Sequence, residues 1–130
     1  MTGSRTTTIL RVLLGLTFLL AAVNHFPQFI KDPPMPKAAV SFHHALTATG
    51  WVFEVVVGVE IAAGVMLLTG RWVPLALVIL APLIVNIFCF HLFLAPGGLP
   101  LAVALAVLEG ILLWRYRAAF APLFGRNRLA

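Results

Sequence analysis

Charged residues are scarce in this chain: they make up 10% of its 130 residues, and only four are acidic. A soluble domain of this length leaves much of its chain in water, so a composition that is 62% hydrophobic excludes one. Cys89 is the sole cysteine, which excludes an intramolecular disulfide, a CxxC redox pair and a multi-cysteine metal centre. Histidine and carboxylate pairs at HxxxH or ExxH spacing are also missing, so no metal or haem centre is expected. The chain has no internal repeat and no low-complexity segment. Its net charge of +5 and pI near 10.8 do not point to nucleic acid, because the Lys and Arg residues lie between or beyond the apolar runs rather than on one face. The remaining class is a single integral membrane domain over residues 1–130, with the lipid bilayer as its main partner.

Four apolar runs are long enough to cross a bilayer, at about 7–29, 50–69, 72–94 and 99–117. The first closes at Pro27 and the polar stretch from Lys31 to Lys37. A cleaved signal peptide is its competing reading, and Ala21-Ala22-Val23-Asn24 fits a small-x-small cleavage site poorly. The second run ends at Gly70-Arg71, a turn so short that the third returns antiparallel; Pro74 suits a first helical turn, and Pro82 predicts a kink. Pro96-Gly97-Gly98 makes the next turn, and Trp114, Arg115, Tyr116 and Arg117 form an interfacial anchor. Arg5, Arg11, Arg71, Arg115, Arg117, Arg126 and Arg128 fall on one side, against Lys31 and Lys37 on the other. The positive-inside rule then places both termini in the cytoplasm of a multi-pass cell-membrane protein. In the outward loop, Ala38, Phe42, Ala45, Leu46 and Thr49 recur at helical spacing and predict a short amphipathic cap helix; His43 and His44 read as solvated. The expected fold is thus all-α, a polytopic four-helix bundle with an outer-loop helix and both termini inside.

Glu54, Glu60 and Glu109 stand within these runs, where a central carboxylate costs roughly 2.5 to 3.5 kcal/mol on insertion scales. A rise of 1.5 Å per residue puts Glu60 and Glu109 both about 15 Å deep and Asn86 about 12 Å deep, with Asn24, His25, His91 and Glu54 within about 8 Å of the outer surface. The polar groups therefore form a funnel opening outward, with Glu54 on its outer rim. Glu60 and Glu109 are expected to face the bundle interior as a midplane pair, at least one of them neutral, sharing a proton or bonding Asn86. Gly58, Ala62, Ala63, Gly64 and Gly110 beside them permit close helix approach. Polar glue between helices is the plain structural reading. The functional one makes Glu60, Glu109, Asn86, His91, Asn24 and His25 a ligand-binding or proton-handling site for a quinone, a lipid headgroup or a proton relay. Cys89 reads as a small buried apolar residue.

The segments RVLLGLTFLLAAVNHF (11–26), PMP (from 35), VEIAAGVMLLTGRWVPLALVILAPLIVNIFCFHLF (59–93) and GLPLAVALAVLEGILLWRYR (98–117) together resemble the DoxX family of small four-helix membrane proteins, over about residues 9–120. The resemblance rests on the order and spacing of Gly15, Asn24-His25, Glu60, Arg71, Asn86, His91 and Glu109. It implies a small subunit of, or partner to, a membrane oxidoreductase complex, since the family is associated with sulfur-compound oxidation, quinone reduction and oxidative-stress complexes. A quinone is the cofactor implied, with none intrinsic to the chain. Distant relatives act as cargo receptors or assembly chaperones, so the alternative is a non-catalytic module that binds a lipid or apolar metabolite or scaffolds a partner. No catalytic residue set carries over, and whether the chain is itself an enzyme stays open. Association into a homo-oligomer is also open. A complete alternating-access transporter is disfavoured, because four helices show no inverted repeat.

Overall fold

A computed structural model describes residues 4–125, so Arg126 and Arg128 lie outside the described residues. The first helix, α1, spans Arg5–His25; Ser4 caps it by accepting from the Thr7 N–H at 3.1 Å. It stops at His25 rather than at the end of the apolar run, because Pro27 cannot continue the hydrogen-bond ladder and restricts the residue before it. Helix α2, Lys37–Ala48, follows Pro36, which supplies no N–H that a cap must satisfy. Helix α3 spans Val52–Thr69 and ends on Gly70 at φ 73°, a left-handed conformation that glycine adopts without a side-chain clash. Trp72 at φ 55° completes that turn and opens α4, Val73–Phe93, which is helical throughout, Pro82 included. A short 3-10 turn, Pro96–Gly98, leads into α5, Leu99–Arg115.

Four of these helices are long and apolar enough to cross a membrane: α1, α3, α4 and α5 counted with its 3-10 lead-in. The chain is a multi-pass membrane helical bundle. Helix α1 packs on α3 and α5, and α4 packs on the same two, so the four close into a ring with α3 and α5 across the diagonal. Phe18, Leu14, Leu67, Leu77, Leu80 and Leu112 are fully buried and form the centre of the core. Large apolar side chains facing outward, such as Leu20, Val85 and Leu101, are exposed from the isolated chain and suit contact with lipid.

Without a hydrophobic force between helices in lipid, packing depends on how closely backbones approach. The closest approach joins α1 to α3. A Cβ at Gly15 would stand 3.0 Å from Leu67 Cβ and 3.1 Å from the Gly64 carbonyl oxygen, and one at Gly64 would collide with Leu19. The terminal end of the ring is closed by polar contacts. Arg115 Nη1 donates to Thr7 Oγ1 at 2.8 Å and Ser4 Oγ at 3.2 Å, joining the end of α5 to the start of α1, and Arg11 packs its guanidinium against Gly70. Gly64→Val is expected to lower stability in detergent by about 1 to 3 kcal/mol through overpacking. Gly58→Ala, whose methyl meets nothing within 4 Å, is expected to be neutral or to stabilise by up to about 1 kcal/mol. Thermal unfolding followed by circular dichroism reads both.

Candidate functional site

The apolar core fills the half of the bundle nearer the termini; the other half contains open space. Because α1 and α3 lie so close, the end of α1 is set beside the first half of α3. A cavity of about 280 Å³ there is lined by Asn24, His25, Asp32, His43, Phe53 and Glu60. A second, of about 270 Å³, lies between α3 and α4 beneath α2, lined by Phe42, His43, Phe53, Glu60, Asn86 and His91 among others. Glu60, His43, Phe53 and Val56 line both. A third, of about 370 Å³, lies nearer the loop surface against Asp32, Pro36, His43, Phe90, His91 and Gly98.

Glu60, midway along α3, is buried and marks the floor where the first two cavities meet. Asn86 lines the second cavity from α4 yet is itself exposed, so this space reaches the flank of the bundle that faces lipid. His91 sits at the far end of α4. Its Nδ1 lies 3.1 Å from the Ala95 carbonyl oxygen, which can only accept, so Nδ1 carries the proton and Nε2 remains the acceptor of the neutral ring. Gly98 leaves room for that imidazole, since a Cβ there would overlap it.

Asn24 and His25 are committed to structure as well as to the cavity wall. The Asn24 amide donates through Nδ2 to the Ile30 carbonyl at 2.9 Å and accepts the Ile30 N–H through Oδ1 at 2.7 Å, clamping the exit from α1. His25 stacks on Phe53 with ring centroids 5.5 Å apart. His43 approaches Phe53 at 4.7 Å, and Phe42 approaches Phe90 at 5.7 Å. Helix α2 is therefore held over the cavities by aromatic contacts to α3 and α4.

The carboxyl of Glu109 is buried on α5, only 4% exposed, and both its oxygens lack a hydrogen-bond partner among the described residues. It therefore bonds neither Glu60 nor Asn86, and it lines none of the three cavities. Glu54 is exposed and also lines none of them. His43 is exposed, as its reading as a solvated residue expects, yet it also lines all three cavities, a position that sequence reasoning passed over. Its signal was present: a residue next to Phe42 lies about 100° around the helix and borders the same apolar stripe.

As a chemical arrangement, the two inner cavities offer flat aromatic walls, the carboxyls of Glu60 and Asp32, the amides of Asn24, Gln28 and Asn86, and the imidazoles of His25, His43 and His91. Such a mostly apolar hollow with few convergent polar groups suits a small, lipid-soluble ring with polar substituents. Among known families, the DoxX model matches residues 6–92. That stretch takes in Asn24, His25, Glu60, Asn86 and His91 but stops short of α5 and Glu109. No curated protein and no solved structure matches the chain. Removing the ring that bridges α2 to α3 should loosen the cap alone: His43→Ala is expected to speed amide hydrogen exchange across residues 37–48 while α1 and α3 keep their protection. Unchanged exchange in α2 would count against the aromatic attachment.

Proposed function

The chain belongs to the DoxX family, and on that footing we propose that it serves as a small subunit of a membrane oxidoreductase complex, with the cavities around Glu60 receiving the head of a quinone. The observation that carries this reading is the lining between α3 and α4: aromatic walls from Phe42, Phe53 and Phe90 around Glu60, Asn86 and His91. These residues fit the group. A flat ring stacks on phenylalanine faces, its carbonyl oxygens need donors, and the opening beside exposed Asn86 suits a ligand that arrives from lipid.

A bound quinone would supply reversible uptake of two electrons and two protons, and a partner subunit would deliver the electrons. The chain's own residues supply position and protons. The Asn86 amide N–H would donate to a carbonyl oxygen of that head and so fix its orientation. In its neutral form Glu60 donates from its carboxyl O–H, and after releasing that proton it accepts another. His91, with Nδ1 held by the Ala95 carbonyl, takes up and releases a proton at Nε2 near the loop surface. Phe53 closes the hollow toward α2, with exposed His43 beside it.

One observation favours the non-catalytic alternative, in which the same hollow holds a lipid or an apolar metabolite. Glu109 lines neither inner cavity, so a single glutamate faces the bound head. Titrating purified protein with a short-tailed quinone distinguishes the two readings. Saturable binding is expected, weakened about tenfold by Glu60→Gln, the equivalent of about 1.4 kcal/mol, and changed less than about twofold by Glu109→Gln, since that side chain lies outside the hollow. Absence of saturable binding, or indifference to Glu60→Gln, rejects the quinone reading, and co-purification of lipid in that space supports the alternative.

The end of the bundle bearing Arg5, Arg11, Arg71, Arg115 and Arg117 belongs on the cytoplasmic side under this reading, and the end bearing Lys31 and Lys37 outside. A C-terminal reporter that matures only in the cytoplasm is expected to be active. A silent reporter on a well-expressed fusion reverses the orientation.

A further inference from the structure

The end of the bundle opposite the cavities has its own concave surface. Past Arg115 the chain turns into a 3-10 helix, Arg117–Phe124, none of whose residues is buried. The corner it makes with α5 holds an open space of about 700 Å³, lined by Trp114, Arg115, Arg117, Phe120, Ala121 and Phe124.

The cationic wall is ordered. Arg117 Nη1 donates to the Trp114 carbonyl oxygen at 2.8 Å, and its guanidinium carbon lies 4.5 Å from the centre of the Trp114 ring. Arg115 is held by its Nη1 bonds to Thr7 and Ser4. A guanidinium has five N–H donors, so each arginine keeps donors beyond those it uses here. The acidic residues of the whole chain are Asp32, Glu54, Glu60 and Glu109. Asp32 belongs to the opposite end, Glu54 begins α3 there, and Glu60 and Glu109 are inside the bundle. Among the described residues, no side-chain carboxylate therefore stands at this end beside the two guanidiniums. The rest of the lining is hydrocarbon, with Phe124 76% exposed.

Two preset guanidiniums beside an apolar ledge at a membrane interface match one ligand chemistry: a phosphate diester with a hydrocarbon chain attached. We propose that this corner is a binding site for an anionic phospholipid, whose phosphate is held by Arg115 and Arg117 and whose acyl chain lies along Phe120 and Phe124. The site is independent of the quinone reading, since it shares no residue with the cavities around Glu60.

Native mass spectrometry tests it on the full chain, released from detergent in an equimolar mixture of phosphatidylglycerol and phosphatidylcholine. Retained adducts are expected to favour the anionic lipid. Arg117→Gln should lower that preference about fivefold, the scale of one arginine near an anionic surface, and Phe124→Ala should lower it too. Arg71→Gln, at the same end but outside the corner, should leave it intact. Arg117 is the variant of choice because Arg115 also ties α5 to α1, and an unchanged unfolding temperature in Arg117→Gln verifies the fold. Equal retention of the two lipids overturns the proposal. So does equal loss from Arg71→Gln, which signifies diffuse surface attraction. Displacement of the lipid by millimolar inorganic phosphate also overturns it, because the hydrocarbon wall would then contribute nothing.

Discussion

The contact on which the rest of this molecule depends is the backbone approach of α1 and α3 at Gly15 and Gly64. In lipid, apolar side chains gain little by leaving the solvent, so helix pairs are held by dispersion over surfaces that fit closely. With Leu67 Cβ and the Gly64 carbonyl oxygen crowding Gly15, neither glycine position has space for a side chain. This contact fixes how α1 is rotated. It therefore decides that Asn24 and His25, two to three turns further along α1, meet Phe53 and Glu60 instead of lipid. A packing requirement in one half of the bundle thus sets the composition of the cavity in the other.

The two halves divide the work. Toward the termini, leucines interlock and Arg115 laces α5 to α1. Toward α2, the helices leave space, and its boundary is made by rings and hydrogen-bonded loops. The Asn24 clamp on Ile30 aims the connection away from α1, and Phe42 and His43 set α2 down on Phe90 and Phe53. Aromatic pairs of this kind contribute about 0.5 to 1.5 kcal/mol each beyond their burial. A cap attached by so few of them is the least firmly held helix, which suits a cover over a hollow that a ligand must enter.

Much of this was legible in the sequence, for identifiable reasons. The apolar runs delimit the four crossing helices because a bilayer imposes a length, and the spacing of Phe42 and Leu46 gives α2 because periodicity survives in a surface helix. Glu60 stood out because carboxyls in spans are costly. What sequence could not supply was rotation about the helix axis. Counting residues from a helix end yields height, and height put Glu60 and Glu109 together; they belong to helices on opposite corners of the ring, and the Glu109 oxygens contact no partner. His43 was missed for a related reason. The apolar stripe of α2 announces which face turns toward the bundle, but which cavities a residue at the edge of that stripe reaches depends on the path of residues 26–36, clamped by Asn24.

The turn from Gly70 to Trp72 has a consequence for biosynthesis. Two left-handed residues close the connection between α3 and α4 within Gly70–Trp72, which is short enough for the two helices to enter the bilayer together as one hairpin. Glu60 then partitions into lipid alongside α4, whose span carries no Asp, Glu, Lys or Arg. At roughly −0.3 to −0.6 kcal/mol for each Leu, Ile, Val or Phe, that neighbour more than offsets one central glutamate. The shortness of the turn thus couples the insertion of a helix that carries a buried glutamate to that of the most apolar helix of the bundle.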